Sequence, residues 1–403
     1  MGSRSLACTT LATGGVVALA LLVGATATAA PTKCPVQGCG SNTPELSASY
    51  FIEKLNLQGL PDENGTRYKR GSFRCLGNSR AVDLAVRAGA LVGVDAQGRV
   101  ACTDLRGARF WIVPTRSSRS PDIEITITHV GEVETWQQER SERETLPTYR
   151  FTWLRDGRRA SFCPQREASW MEPWQLVGHQ DPQGPGGLWH ETTDHLLIIQ
   201  GETYTPAARV DPERSGPAWI SLGCAGAAFS KLRLLGYDPM RNTSTVGERE
   251  ATLKMITARY KGEESHTVQG VPLAWISMRG VQYEGAPDRD RLGPIEALWG
   301  PDGASCLSHL RLFHKDRVAE DSAPEVLQRN QIGLPACEAY DSISGVVLSA
   351  RLTSSPPPGA VWATISVDHI SHRPLPISVR KSVDVPYDGR RFPTRLAHPP
   401  VLH

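Results

Sequence analysis

Three isoleucines set the strongest constraint on how this chain folds. Ile123, Ile125 and Ile127 alternate with Glu124, Thr126 and Thr128. A period of two puts every second side chain on one face, so the segment reads as a strand with one face buried and the other wet. Tyr149, Phe151 and Trp153 repeat the pattern and run into Arg155-Asp156-Gly157-Arg158, where Asp-Gly signals a two-residue hairpin turn. Ala160 to Cys163 is then the returning strand. Upstream, Val82, Leu84 and Val86 alternate with Asp83 and Arg87, and Asp95-Ala96-Gln97-Gly98 turns the chain into a strand near Val100. The 37 Gly and 30 Pro suit the many turns of an antiparallel fold.

Further along, the pattern mixes. Leu196-Leu197-Ile198-Ile199 is a short buried strand. Ala225 to Leu235 reads as a helix stopped by Gly236 at its C′ position. Residues 246–260 read as a second helix, with Thr245 and Glu248 spaced as a capping box and Leu253, Ile256 and Tyr260 on one face. Val268 to Val281 returns to strand, and Ser322 with Glu325 starts a short helix before Cys337. Beyond Pro356-Pro357-Pro358-Gly359, a strand places Val361, Ala363, Ile365 and Val367 on one face. The expected fold class is α+β, predominantly antiparallel β-sheet with two short helices.

The N-terminus reads as an address. Arg4 precedes an apolar run from Leu11 to Val23, and Ala27-Thr28-Ala29 supplies small residues at the positions a signal peptidase reads. The competing reading is a retained anchor, because the uncharged stretch approaches the ~20 residues that span a bilayer. No later segment is apolar enough to cross one, so no stable span is expected after cleavage. Removing Cys8 leaves eight cysteines, an even number that implies disulfides in an oxidising compartment. Neighbours along the chain suggest Cys34–Cys39, Cys75–Cys102, Cys163–Cys224 and Cys306–Cys337. The protein is therefore expected to be secreted, periplasmic or held in the cell envelope. With 44 basic and 42 acidic residues, the overall charge gives no reason to expect a nucleic-acid partner. An envelope polymer or a protein partner remains open.

Signals for chemistry are few. His190, Asp194 and His195 resemble a metal cluster, but the two histidines are five apart in a Gly/Pro-rich stretch rather than four apart on a helix. Surface histidines are the competing reading. Asp288-Arg289-Asp290 opens like a calcium loop, yet Leu292 and Trp299 occupy ligand positions and exclude it. No nucleophile elbow, Walker loop or dinucleotide fingerprint is present, and no cofactor is expected. Cys224 with His266 is the best nucleophile–base pair, with Ser265 as the other nucleophile; half of a disulfide is the competing reading for Cys224. Trp170, Trp174 and Trp189 either line a groove or pack in the core.

From residue 218, Cys224-Ala-Gly-Ala-Ala-Phe-Ser-Lys231 is followed by Gly236-Tyr237-Asp238-Pro239. This succession of a Cys, a small apolar helix, a Lys and Gly-Tyr-x-Pro resembles the signature of the ADYC-domain family, a group of exported bacterial proteins found largely in myxobacteria. Ala258-Arg259-Tyr260-Lys261 stands at its Ala-Asp-Tyr-Cys, followed by His266-Thr267 and Gly270-Val271-Pro272-Leu273. Trp299-Gly-Pro-Asp302-Gly303-Ala304-Ser-Cys306 matches Trp-x-x-Asp-Gly-Ala-x-Cys, and Gly38-Cys39-Gly40-Ser41-Asn42-Thr43-Pro44 its opening segment. Two family cysteines fall at Thr252 and Lys261; losing both together suits a lost structural crosslink better than lost catalysis. A third family cysteine falls at Leu232.

The resemblance implies an exported domain and carries over no activity. The expected organisation is a signal peptide at 1–29, a Cys-rich arm at 30–45, an antiparallel β module at 46–165, an ADYC-like α+β module at 166–340, and a C-terminal strand with a Pro/Arg-rich tail at 341–403. The expected function is non-enzymatic binding or structure. The alternative is a secreted hydrolase using His266 as base with Cys224 or Ser265 as nucleophile.

Overall fold

A computed structural model describes residues 40–50, 52–76, 82–114, 121–137, 144–163, 194–241, 244–267, 272–279, 295–308, 334–337 and 359–366. The signal segment, Cys34, Cys39, His190, the three tryptophans Trp170, Trp174 and Trp189, the Ser322 cap and the tail beyond Ser366 lie outside these residues.

In chain order, β1 (Gly40–Ser41), β2 (Lys54–Asn56) and β3 (Thr66–Tyr68) are short. β4 (Asp83–Arg87), β5 (Ala90–Val94) and β6 (Val100–Cys102) form a three-stranded meander. β7 (Arg109–Pro114), β8 (Ile123–Glu134), β9 (Thr145–Arg155) and β10 (Arg158–Ser161) follow, then β11 (His195–Gly201) and β12 (Gly216–Cys224). Two helices, α1 (Ala228–Leu234) and α2 (Val246–Ile256), precede β13 (Pro272–Ser277), β14 (Ile295–Gly300), β15 (Gly303–Leu307) and β16 (Trp362–Ser366). Among the described residues every pair of named strands is antiparallel, so the molecule is mostly antiparallel sheet with two short helices.

The largest sheet runs β2-β12-β11-β9-β8-β7-β3, with β10 paired to β9. Its two end strands approach each other, so it curls into a nearly closed barrel. The alternating residues face inward: Ile125, Ile127, Phe110, Ile112, Tyr149 and Phe151 share one core with Ile198, Ile220 and Leu222. Each side chain of this size contributes roughly 1.5–3 kcal/mol by leaving water. The meander packs on the same core through Leu84, Val86 and Leu91. Two tyrosine hydroxyls tie it down, Tyr68 accepting from the Leu84 amide at 3.0 Å and Tyr149 from the Leu91 amide at 2.7 Å. The β9–β10 hairpin turns at Asp156 and Gly157, with φ of 50° and 73°. Two consecutive positive φ values match the right-handed strand twist, which is why Asp-Gly sits there.

β11 is apolar on both faces because both are covered. Leu196 and Ile198 enter the barrel core, whereas Leu197 and Ile199 join a second core with Phe229 and Leu232 of α1 and Leu253 and Ile256 of α2. The far side of that core is the sheet β1-β13-β16-β14-β15, through Trp275, Trp299 and Trp362. The order of layers is barrel, helices, sheet. Two of the barrel's strands, β11 and β12, lie beyond residue 165, so the barrel draws on both sides of the boundary expected there. The C-terminal strand β16 packs back between β13 and β14. It is buried on both faces, Trp362 toward the helices and Ala363 away from them.

Both helices are shorter than their sequence patterns. α1 begins at Ala228, after a turn in which Ala227 N–H bonds Cys224 O and Gly226 has φ 80°; Gly236 follows it at φ 86°. α2 begins at the Thr245–Glu248 capping box, both halves of which are formed. It ends at Ile256, since Ala258 turns left-handed at φ 46° and carries Tyr260 out of the helix.

Candidate functional site

The segment that follows α2 draws the motif residues together. Gly303 has φ 115°, and a Cβ on it would lie 2.4 Å from the Tyr260 carbonyl oxygen. Only glycine lets β15 run this close, and the approach forms the Lys261–Gly303 bridge and the 2.9 Å bond from Ala304 N–H to Tyr260 O. Tyr260 stacks on Trp299, with ring centroids 4.9 Å apart, and lies 5.8 Å from the His266 ring. The indole of Trp299 donates to Thr364 at 3.0 Å, and that of Trp362 to Thr252 at 2.8 Å. Lys231 is buried with its ammonium 5.9 Å from the Trp275 ring centre, a cation–π distance. At the end of β12, Gly223 lets α1 pack closely, since a Cβ there would lie 2.5 Å from the Ser230 nitrogen.

The described residues among those expected to do chemistry are each engaged in structure. Cys224 is disulfide-bonded to Cys163 across a Cα distance of 5.6 Å, and both are fully buried. This corrects its candidacy as a nucleophile, because a disulfide sulfur has no thiolate to offer. Cys75–Cys102 and Cys306–Cys337 are also disulfides. The Ser265 hydroxyl donates at 2.6 Å to the Thr257 carbonyl at the end of α2, whereas a nucleophile's proton would face a base. His266 is buried beside Tyr260, with its backbone N–H on Ala258 O at 3.1 Å. Asp194 forms an ion pair with Arg150. His195 Nδ1 lies 3.2 Å from the Thr148 hydroxyl, and its ring sits 5.1 Å from that of His129. Among the described residues no three His, Cys, Asp or Glu side chains are placed to hold a metal ion.

A second polar cluster, which the sequence did not single out, lies between the barrel and α2. The loop after β11 turns at Thr205–Ala208, and three cations hold its carbonyls. Lys54 approaches Tyr204 O at 3.4 Å, Arg259 donates to Pro206 O at 3.0 Å, and Lys254 to Ala207 O at 3.0 Å. Arg249 pairs with Glu202, whose carboxylate also accepts from the Tyr204 hydroxyl at 2.8 Å. Burial lowers the pKa of Lys254, and the charge of Arg209 lowers it further. Burial likewise pushes Arg259 down to about 10, against the opposing pull of Glu53. Arg259 Nη1 is buried with no hydrogen-bond partner among the described residues. The cluster's cations hold the carbonyls of the molecule's own loop. The signal in the sequence was α2 itself, whose charges at Glu248, Arg249, Glu250 and Lys254 occupy several faces of a helix lying between two apolar layers.

What these features define is a disulfide-bonded α+β module in which the sequence motifs meet in a packed aromatic knot. The model of the ADYC domain matches residues 102–313, more than half of the chain, and the protein belongs to that family. No curated protein and no solved structure matches the chain.

Proposed function

We propose that this protein is an exported, non-catalytic binding module of the cell envelope or the extracellular space. One observation carries the reading: the two nucleophiles that the hydrolase reading would use are committed to structure. Cys224 is in a disulfide, and the Ser265 hydroxyl is given to a helix-end carbonyl. The three disulfides support maturation in an oxidising compartment, consistent with the apolar N-terminal segment. The test is a thiol count on the unreduced, denatured mature protein together with labelling by a serine-directed fluorophosphonate. No reactive thiol and no label are expected. Stoichiometric labelling at Ser265, abolished by His266→Ala in a variant that still melts cooperatively, would replace this reading with a hydrolase.

A further inference from the structure

The chain carries a formal net charge of only +2, but its charge is unevenly spread. Between Thr66 and Pro114 there are nine Arg or Lys and three Asp or Glu. Each of those acids already has an arginine: Asp83 with Arg70 at 3.2 Å, Asp95 with Arg99 at 2.8 Å and Asp104 with Arg106 at 2.9 Å. The surplus gathers on one face. Phe110 and Ile112 of β7 point into the barrel, so Arg109, Trp111 and Val113 point out. Residues opposite one another on antiparallel strands share a face. Arg67 opposes Val113 and Arg74 opposes Arg109, while the Lys69 amide bonds the Trp111 carbonyl at 2.9 Å. Four cations thus flank the half-exposed Trp111 on the outward side of β7 and of the 67–74 segment that runs beside it, with neighbours roughly 5–7 Å apart where the pairing is strand-like. The row through Trp111 continues across Glu124 and Leu154 to Arg159 on β10. Among the described residues two acids sit on this face, Asp122 at 2.6 Å from Lys69 and Glu124 at 3.8 Å from Arg109, leaving Arg67, Arg74 and Arg159 in surplus there.

We propose that the outward face of β3 and β7 binds an acidic polysaccharide, with the guanidinium groups on its carboxylates or sulfates and Trp111 against a sugar ring. The inference rests on the binding-module reading and names the partner class. Charge complementarity selects a polyanion. An oxidising compartment, indicated by the disulfides, favours a surface glycan over a nucleic acid. The outer face of two antiparallel barrel strands, with one aromatic ring among cations, suits a linear chain of charged sugars, as Trp combines an apolar body with a polar edge.

The probes are immobilised heparin and polygalacturonate, with single-stranded DNA as competitor and full-length mature protein throughout. Binding that weakens steeply with salt is expected to at least one of the two polysaccharides. R67E/R109E is expected to weaken it at least tenfold. The control R87E/R99E makes the same change in net charge at the turns of the meander and is expected to lower affinity less than threefold. Both variants should keep the parent melting temperature within a few degrees; if R67E/R109E does not, W111A is compared instead. Equal losses in both variants, preference for DNA, or no binding to either polysaccharide would each overturn the proposal. Release of new reducing ends from a bound polysaccharide would leave this surface standing and overturn the non-catalytic reading.

Discussion

Strand β8 of the barrel and strand β14 of the helix-backed sheet are both well packed, yet they look different in sequence. In β8, Ile123, Ile125 and Ile127 are buried, while Glu124 and Thr126 between them are partly exposed. In β14 all five residues from Ile295 to Trp299 are buried. The barrel strand has one core to serve; β14 has two, with Ala297 and Trp299 facing the helices and Ile295 and Leu298 the opposite side. Alternation is therefore a signature of single-sided burial, and it fades where a strand is covered twice. The barrel carries a disulfide from the end of β12 to the segment just after β10, whereas the other sheet relies on the close passage of Gly303 beneath Tyr260.

The sharpest way to break this comparison is to cut the barrel's crosslink. Cys163→Ser opens a loop with a sequence separation of 61. It should cost about 4 kcal/mol in the chain-entropy account. Thiol titration should then find Cys224 reactive on unfolding; a Cys224 that stays blocked would mean a different pairing. In the helix-backed sheet, Gly303→Ala should cost about 3 kcal/mol, since the new Cβ meets backbone rather than a yielding side chain. A melting temperature within two degrees of the parent would show that β15 moves away freely.

Alkali separates the regions next. Burial raises the Tyr149 hydroxyl to about 12 in the fold. A raised pKa favours the neutral phenol, so its contribution of about 2–3 kcal/mol is complete below pH 10 and is lost as pH climbs toward 12. Arg259 acts in the opposite direction, because its lowered pKa makes the fold release a proton first as pH rises. The difference between parent and Tyr149→Phe in urea melts from pH 9 to 11.5 isolates the tyrosine. That variant should start less stable and decline less steeply. The smallest effect belongs to the α2 cap: Thr245→Ala should cost about 1 kcal/mol, read as a shift in urea midpoint at unchanged slope.

What could be read in advance follows the same division. The barrel strands, the Asp156-Gly157 turn and the Thr245 cap are local patterns, each set by residues a few positions apart. The ADYC motif was legible as blocks in order, but their meaning was not. Nothing in Trp299-Gly-Pro-Asp-Gly says that Gly303 lies beneath Tyr260, because that contact joins segments some forty residues apart through a third layer. The cluster of Lys54, Lys254 and Arg259 escaped notice for a related reason. Its members come from three places, Lys54 on β2, Lys254 on α2 and Arg259 just past the end of α2, and each is a charge that sequence alone assigns to a solvated surface, whereas here they hold the carbonyls of one loop. The histidine pair His129 and His195 was half visible: His195 drew attention, but only β8 lying next but one to β11 brings His129 beside it.

The position of β16 has a consequence for the order of manufacture. It lies between β13 and β14, yet both of those are made before the ribosome reaches residue 362. A nascent chain stopped at Leu307 would hold two finished strands with a slot between them, each offering an unpaired edge that a second copy could fill. β16 thus completes the sheet from the middle rather than from an edge. A chain truncated before residue 362 is left with both edges open, and the five-stranded sheet cannot close until residues 362–366 have been made.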